Sequence, residues 1–284
     1  AQTFVFALLL CPVLLSRAVD IGPLRGGWKG RLIPATVGVV LMVTAGANVV
    51  RQPKFFAEVN EYNLVFKTLL VDSADPEATL QSLGAPTGLV RYRGTGYFDV
   101  EAAAKEADPE YQQFRRVVDR RKLVTYLATN PNHWVPLLRA GAEAVSSLRT
   151  TYLSNYPVPR SADELLARRP NPTERLLGAL GTASWPVLPL VWLVALVAAV
   201  VPLCRRSVGP DARALGAVCY LLAGTALSQV LVSLVGDGYY ELVKHTVLAG
   251  YATALLLAIT IAAVVRVVGR RLVRRRTPAR TGAA

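Results

Sequence analysis

The sequence is poor in the residues from which soluble catalytic and metal sites are built. It has two His and three Cys in 284 residues, which excludes a His-rich metal site. No Walker loop, GxSxG or HExxH motif occurs. Cys11, Cys204 and Cys219 all lie in or at the end of apolar runs. They have neither disulfide nor metal-type spacing and read as small apolar helix residues. Charge is also scarce: 18% of residues are charged and 52% are hydrophobic, and the mean hydropathy is +0.35. Strand signals are sparse. An ordinary soluble domain does not have this composition.

Long apolar runs take up the space instead. A helix needs about 20 mostly apolar residues to cross a bilayer, and 32–50, 184–204, 214–235 and 246–268 supply them. A fifth run, 1–16, is slightly short. Arg17 is the first charge of either sign, so this run lacks the basic flank of a secretory signal. With Met42 the only Met, residue 1 is expected to fall inside a transmembrane helix of a longer protein, of which this chain is the C-terminal part. The sequence therefore predicts an all-α polytopic membrane protein. About five transmembrane helices are expected, with an α-helical extracytoplasmic domain inserted between spans two and three. The divisions are 1–50 (two spans and a basic loop), 51–182 (the helical domain), 183–268 (three spans) and 269–284 (a basic tail).

The bases choose the orientation. Short cytoplasmic loops are enriched in Lys and Arg, and 17–31, 205–213 and 266–284 hold fourteen bases against two acids. The segment 51–182 is near balance, and 237–245 carries a net charge of −1. Almost all of the formal +13 thus sits in three alternating segments assigned to the cytoplasm, so the high pI does not indicate a nucleic-acid partner. The RRLVRRR run is a stop-transfer and lipid-headgroup contact. Residues 51–182 and the turn after 236 fall on the extracytoplasmic side.

Punctuation within 51–182 is helical. Asp75-Pro76-Glu77 and Asp108-Pro109-Glu110 each combine an N-cap, a proline at N1 and a first-turn acid. They predict a short helix closed by Gly84 and a longer one running to about Ala128. Asn130-Pro131 opens another over 131–153, with Trp134, Leu137, Leu138 and Ala142 on one stripe and Pro136 as a kink or late start. Ser161 and Glu164 form a capping box for a helix ended by Pro170. Segment 54–70 is amphipathic, with Phe55, Val59, Tyr62, Phe66 and Leu69 at helical spacing. Gly94 and Gly96 mark a loop in VRYRGTGYFD.

Two clusters are candidate sites. In GDGYYELVKH, Asp237, Glu241 and His245 recur every four residues and would share one helix face, with Lys244 placed to pair with Glu241. First-turn acids also complement a helix dipole, which gives a purely structural reading. The functional reading is a cavity at the mouth of a span, where ionisable groups are costly unless paired or wet. It would hold a phosphate-bearing headgroup or a divalent cation. In RYRGTGY, Arg91 and Arg93 suit a phosphate and Tyr92 suits a sugar ring; alternatively these side chains pack on a neighbouring helix.

The runs NEYNLVFKTLLVDSADPEATLQSLGAP…VRYRGTGYFD and GDGYYELVKHTVLAGY, about a quarter of the chain, carry a resemblance. They resemble the polytopic membrane glycan-biosynthesis hexose transferases of actinobacteria and other Gram-positive bacteria, related in plan to the GT-C glycosyltransferases. The resemblance implies transfer of a sugar from a polyprenyl-phosphate carrier at the outer face, in company with envelope-glycan assembly proteins. It also implies an acidic catalytic residue in a first extracytoplasmic loop. That loop is expected upstream of residue 1, so no catalytic residue is assigned in this chain. On this expectation Lys244, Arg91 and Arg93 neutralise the carrier phosphate, while Asp237 and Glu241 orient sugar hydroxyls or a cation. The rival expectation is a non-enzymatic membrane scaffold or a carrier-lipid transport component.

The charge pattern gives a direct test of orientation. With the three native cysteines replaced, Glu101→Cys is expected to react with a membrane-impermeant maleimide added outside intact cells. Arg213→Cys is expected to react only after permeabilisation. The opposite pattern inverts the topology.

Overall fold

A computed structural model describes residues 9, 10, 13, 28–51, 53–147, 175–177, 185–205 and 207–276. Helices are the only regular elements among them. They are α1 (Trp28–Val50), α2 (Lys54–Tyr62), α3 (Pro76–Ser82), α4 (Ala102–Ala107), α5 (Pro109–Val117), α6 (Arg120–Thr129), α7 (Trp134–Ser146), α8 (Val187–Cys204), α9 (Pro210–Asp237) and α10 (Leu242–Arg276). Helix α2 continues without a break through a π-helical segment, Asn63–Leu69, and a last α turn, Leu70–Asp72. Among the described residues three helices are long and apolar enough to cross a membrane: Val187–Cys204, Pro210–Asp237 and Leu242–Arg266. A shorter apolar helical stretch, Ala35–Ala47, lies within α1. Of the expected run 1–16 only residues 9, 10 and 13 are described, all three helical; the expected helix from Ser161 to Pro170 lies outside the described residues.

The three long helices form a bundle in which α9 packs on both α8 and α10. Small residues allow the close approaches. A Cβ at Gly216 would meet Pro202 of α8 at 2.5 Å, and one at Gly141 of α7 would meet Val230 of α9 at 2.6 Å. Buried polar groups between the helices find partners, as an apolar surrounding requires, at two contacts in particular. Trp192 Nε1 donates to Thr253 Oγ1 at 3.0 Å, and Gln229 Nε2 donates to the His245 carbonyl at 2.6 Å. The outward faces carry Val194, Val197, Leu255 and Ile261, all exposed, as expected of helices whose solvent is lipid.

A second, more polar layer is built from α2 to α7. Its start signals work as the sequence implies. The Asp75 carboxylate accepts from Ala78 N at 2.9 Å, and Pro76 occupies the first helical position, where its missing N–H costs nothing. Asp108 accepts from the amides of Glu110 and Tyr111. The helix expected to run on to Ala128 breaks instead at Val118. Asp119 then caps a new helix, α6, by accepting from Lys122 N at 2.8 Å. Helix α7 is also shorter than expected. Pro131–His133 is a single 3-10 turn, the α-helix starts at Trp134, and it ends at Ser146. Pro136 thus falls in the first turn and produces a late start, not a kink.

The two layers share one core. Tyr62, Phe66, Leu69, Leu123 and Leu137 of the polar layer are continuous with Leu188, Trp192, Val230, Leu234 and Leu256 of the bundle. Helix α7 joins them by packing against both α9 and α10.

The turn between α9 and α10 lies directly on the π segment. A Cβ at Gly238 would come within 2.0 Å of Thr68 Oγ1, and its φ of 62° falls where side chains are strained. Gly238→Ala is therefore expected to cost about 2 kcal/mol or more, measured as a lowered midpoint for unfolding in detergent. Gly236→Ala, with open space around it, is the control and is expected to remain near wild type.

Candidate functional site

Asp237 and Glu241 do not lie on a helix face with His245. Helix α9 ends at Asp237 and α10 begins at Leu242, so both acids bracket the turn. The four-residue spacing fails because Gly238 reverses the chain, and Glu241 itself has a left-handed φ of 47°. The turn nonetheless brings Asp237 and His245 together, with Nε2 at 3.3 Å from Oδ2. Glu241 pairs with Lys244 at 2.5 Å. The other Asp237 oxygen accepts from Asn63 Nδ2 at 2.7 Å. Among the described residues no group of three or more His, Cys, Asp or Glu is placed to hold a metal ion.

Behind this turn lie two further charges, those of Arg120 and Glu61. The Arg120 guanidinium donates to the Val235 carbonyl at 3.3 Å, and burial lowers its pKa against the pull of Glu61 and Asp237. Burial raises the Glu61 carboxyl, while the Arg120 charge draws it back. This half-buried cation is thus balanced by acids of both α2 and α9.

Arg91, Tyr92 and Arg93 have other partners. Arg91 donates to Gly88 O at 2.7 Å, to Glu110 at 2.5 Å and to Asp108. The Tyr92 hydroxyl donates to Asp108 at 2.7 Å, and Arg93 donates to the Val71 carbonyl at 3.0 Å. Burial would raise the Asp108 carboxyl, but the hydrogen bonds from Tyr92 and Arg91 prevail and hold it below the usual carboxylate range. Arg91 and Tyr92 thereby tie the 3-10 segment Thr87–Tyr92 to the capped start of α5. They fasten the fold locally and do not join the Asp237 cluster.

The loop that follows does reach that cluster. The Tyr97 amide donates to Asn63 Oδ1 at 2.8 Å, and Gly96 lies against the Tyr240 ring, where a Cβ would meet Cε2 at 3.0 Å. The Phe98 and Tyr240 rings are 6.4 Å apart. Lys67 spans from Asp99, at 3.4 Å, toward the Tyr240 face.

Beside this loop opens a cleft of about 610 Å³ between the start of α2, the loop and the α4–α5 pair. Glu58 stands in its wall and is only 17% exposed at its side chain. It accepts from Tyr111 at 3.0 Å and Tyr97 at 3.3 Å, and pairs with Arg115 at 2.6 Å. Burial first, and then the charge of Glu58, push both tyrosine hydroxyls upward in pKa. They remain neutral donors at physiological pH. Lys105 is buried to 3% exposure, its ammonium 3.3 Å from the Tyr97 ring centroid and bonded to the Tyr97 carbonyl. Burial lowers its pKa, with Glu58 opposing. Phe55 and Phe98 supply exposed aromatic faces. In chemical terms the cleft offers ring faces, one hydrogen-bonded carboxylate and several cationic donors.

Glu58, Lys105, Tyr111 and Arg115 were not legible as a site. Each sits in a stretch that reads as an ordinary helix with a solvated face, and they come from three elements. The available signal is the tyrosine density of NEYN, RYRGTGY and DPEY.

The Arg91 network is expected to be structural. Asp108→Ala removes an N-cap and the partner of two side chains, and should destabilise the protein by about 2 kcal/mol. Denaturation in detergent checks this. Arg91→Ala should destabilise it less, since its side chain is 45% exposed.

No curated protein and no solved structure matches the chain. A family model described as the YfdI N-terminal transmembrane domain matches residues 4–282. With nearly the whole sequence matched and three membrane-length helices in one bundle, the chain belongs to the YfdI N-terminal transmembrane domain family.

Proposed function

We propose that this membrane protein is part of an integral membrane glycosyltransferase of cell-envelope glycan assembly. It binds a polyprenyl-phosphate-linked sugar at the outer face in the Glu58–Lys105 cleft. The single observation that carries the reading is the composition of that cleft. Sites for small organic ligands are concave and largely apolar, with a few fixed polar groups. Here Phe55, Tyr97 and Phe98 offer faces to a pyranose ring, and Glu58 offers carboxylate oxygens to its hydroxyls. Lys105 and Lys54 offer ammonium groups to the phosphate.

Location supports the same reading. Lys54 and Phe55 follow α1 after a short connection, so the cleft lies where an apolar helix gives way to polar chain. A lipid-linked ligand can keep its chain in the bilayer there while its head enters the cleft. The phosphate contact passes from Arg91, whose guanidinium is engaged with Asp108 and Glu110, to Lys105. Asp237 and Glu241 take no direct part, since each is paired with a basic neighbour of α10. The chain thus contributes recognition of the carrier-linked sugar, and no catalytic base is assigned within it. That every candidate acid is already paired is also the observation that favours the second reading, a non-enzymatic scaffold of the envelope-glycan system.

Binding of a polyprenyl-phosphoryl hexose to the protein in nanodiscs tests the proposal. Lys105→Gln and Tyr97→Ala are each expected to weaken binding about tenfold, and Arg91→Ala to leave it near wild type. Because burial lowers the Lys105 pKa, its charge is lost at a lower pH than the ordinary lysine value of 10.5. Affinity for the anionic head should therefore fall as pH rises toward 10.5, and this dependence should weaken in Lys105→Gln, which retains Lys54. Equal binding by wild type and both cleft variants would place the ligand elsewhere.

A further inference from the structure

The cleft is connected to the transmembrane turn through one side chain. Asn63 is wholly buried at the first position of the π segment. Its amide has one acceptor and one donor in use, directed at two different parts of the molecule. Oδ1 receives the Tyr97 amide at 2.8 Å, and Nδ2 donates to Asp237 Oδ1 at 2.7 Å. Asp237 closes α9, and Tyr97 walls the cleft. Lys105, inside the cleft, holds the carbonyl of the same Tyr97 residue. The Tyr97 backbone is therefore gripped on its N–H by a group fixed to the transmembrane turn and on its C=O by a group that faces the ligand space.

The π segment makes this arrangement. Its wider turn, with i→i+5 bonding, is rare and is used where side-chain placement matters. Thr68 Oγ1 lies 3.3 Å from the Asn63 carbonyl and accepts the Tyr239 amide at 2.9 Å. Asp72 receives the Tyr239 hydroxyl. Asn63, Thr68 and Asp72 thus clamp the turn along one face of α2, and only Asn63 also reaches the cleft.

We propose that Asn63 is a positioning residue that couples the cleft to the turn between α9 and α10, so that the seating of this turn sets the conformation of Tyr97 and the affinity of the cleft. The inference rests on the reading of the cleft as a ligand site. Coupling of this kind is reciprocal: a ligand that draws on Lys105 must bias the seating of the turn by the same factor.

Hydrogen exchange on the full chain in nanodiscs, with and without a polyprenyl-phosphoryl hexose, tests it. Asp237→Ala leaves the Asn63–Tyr97 bond in place but cuts Asn63 from the turn. It is expected to speed exchange of the 96–99 amides about tenfold and to weaken ligand binding in parallel. Asn63→Asp is expected to do the same, because two carboxylates then face each other. The double variant Asn63→Asp/Asp237→Asn restores a donor–acceptor pair in reversed direction, and should return both readouts to within about twofold of wild type. Unchanged 96–99 exchange in Asp237→Ala, or a double variant no better than Asn63→Asp, would overturn the coupling. If the wild type fails to bind the probe, the reading of the cleft fails, while the exchange pattern of the variants still decides the coupling.

Discussion

The structure depends on how a turn that must leave the membrane bundle is satisfied by the layer above it. Helix α9 ends in Asp237, a carboxylate that must be either solvated or bonded. It is bonded by Asn63 and His245, and the next residue, Gly238, has no room for a side chain because the turn presses on Thr68. Through Asn63 the same contact holds the Tyr97 amide, which borders the cleft.

Burial of apolar surface sets the frame in which this polar contact acts. The core runs without interruption from Tyr62 and Phe66 through Leu137 to Trp192 and Leu256. The polar layer is thus packed on the bundle. Within that frame the charged groups fall into two kinds. Arg91, Asp108 and Glu110 are bonded among themselves and hold local structure. Glu58, Lys105 and Arg115 are bonded around a space, and a space lined in this way is what a ligand requires. The proposed binding role follows from that difference and not from the number of charges.

Much of the fold was legible because single-segment physics decides it. Apolar runs over 184–204, 214–235 and 246–268 correspond to α8, α9 and α10, and Asp75-Pro76 and Asp108-Pro109 start helices where their capping chemistry says they should. The breaks were less legible. Val118 and Asp119 interrupt what reads as one helix, since an aspartate can serve as a solvated surface residue or as a cap. The π segment left no trace in the apolar spacing of α2, which is the same for either winding. The candidate site was legible only in part, because its contacts are long-range. Nothing near Arg91 in sequence says that Asp108 and Glu110 will engage it. Nothing near Asp237 points to Asn63, 174 residues away. The acids of GDGYYELVKH lie at a turn where Asn63, Lys244 and His245 meet them, and the i, i+4 spacing of the sequence carries no sign of the glycine that makes that turn.

The most direct measurement is photocrosslinking with a polyprenyl-phosphoryl hexose carrying a diazirine on the sugar, followed by peptide mapping of the full protein in nanodiscs. The account predicts adducts on the cleft walls, within 54–58, 97–105 and 111–115, that are competed away by unlabelled ligand. Specific adducts confined to 236–245, or to the outward faces of α8 to α10, would contradict it.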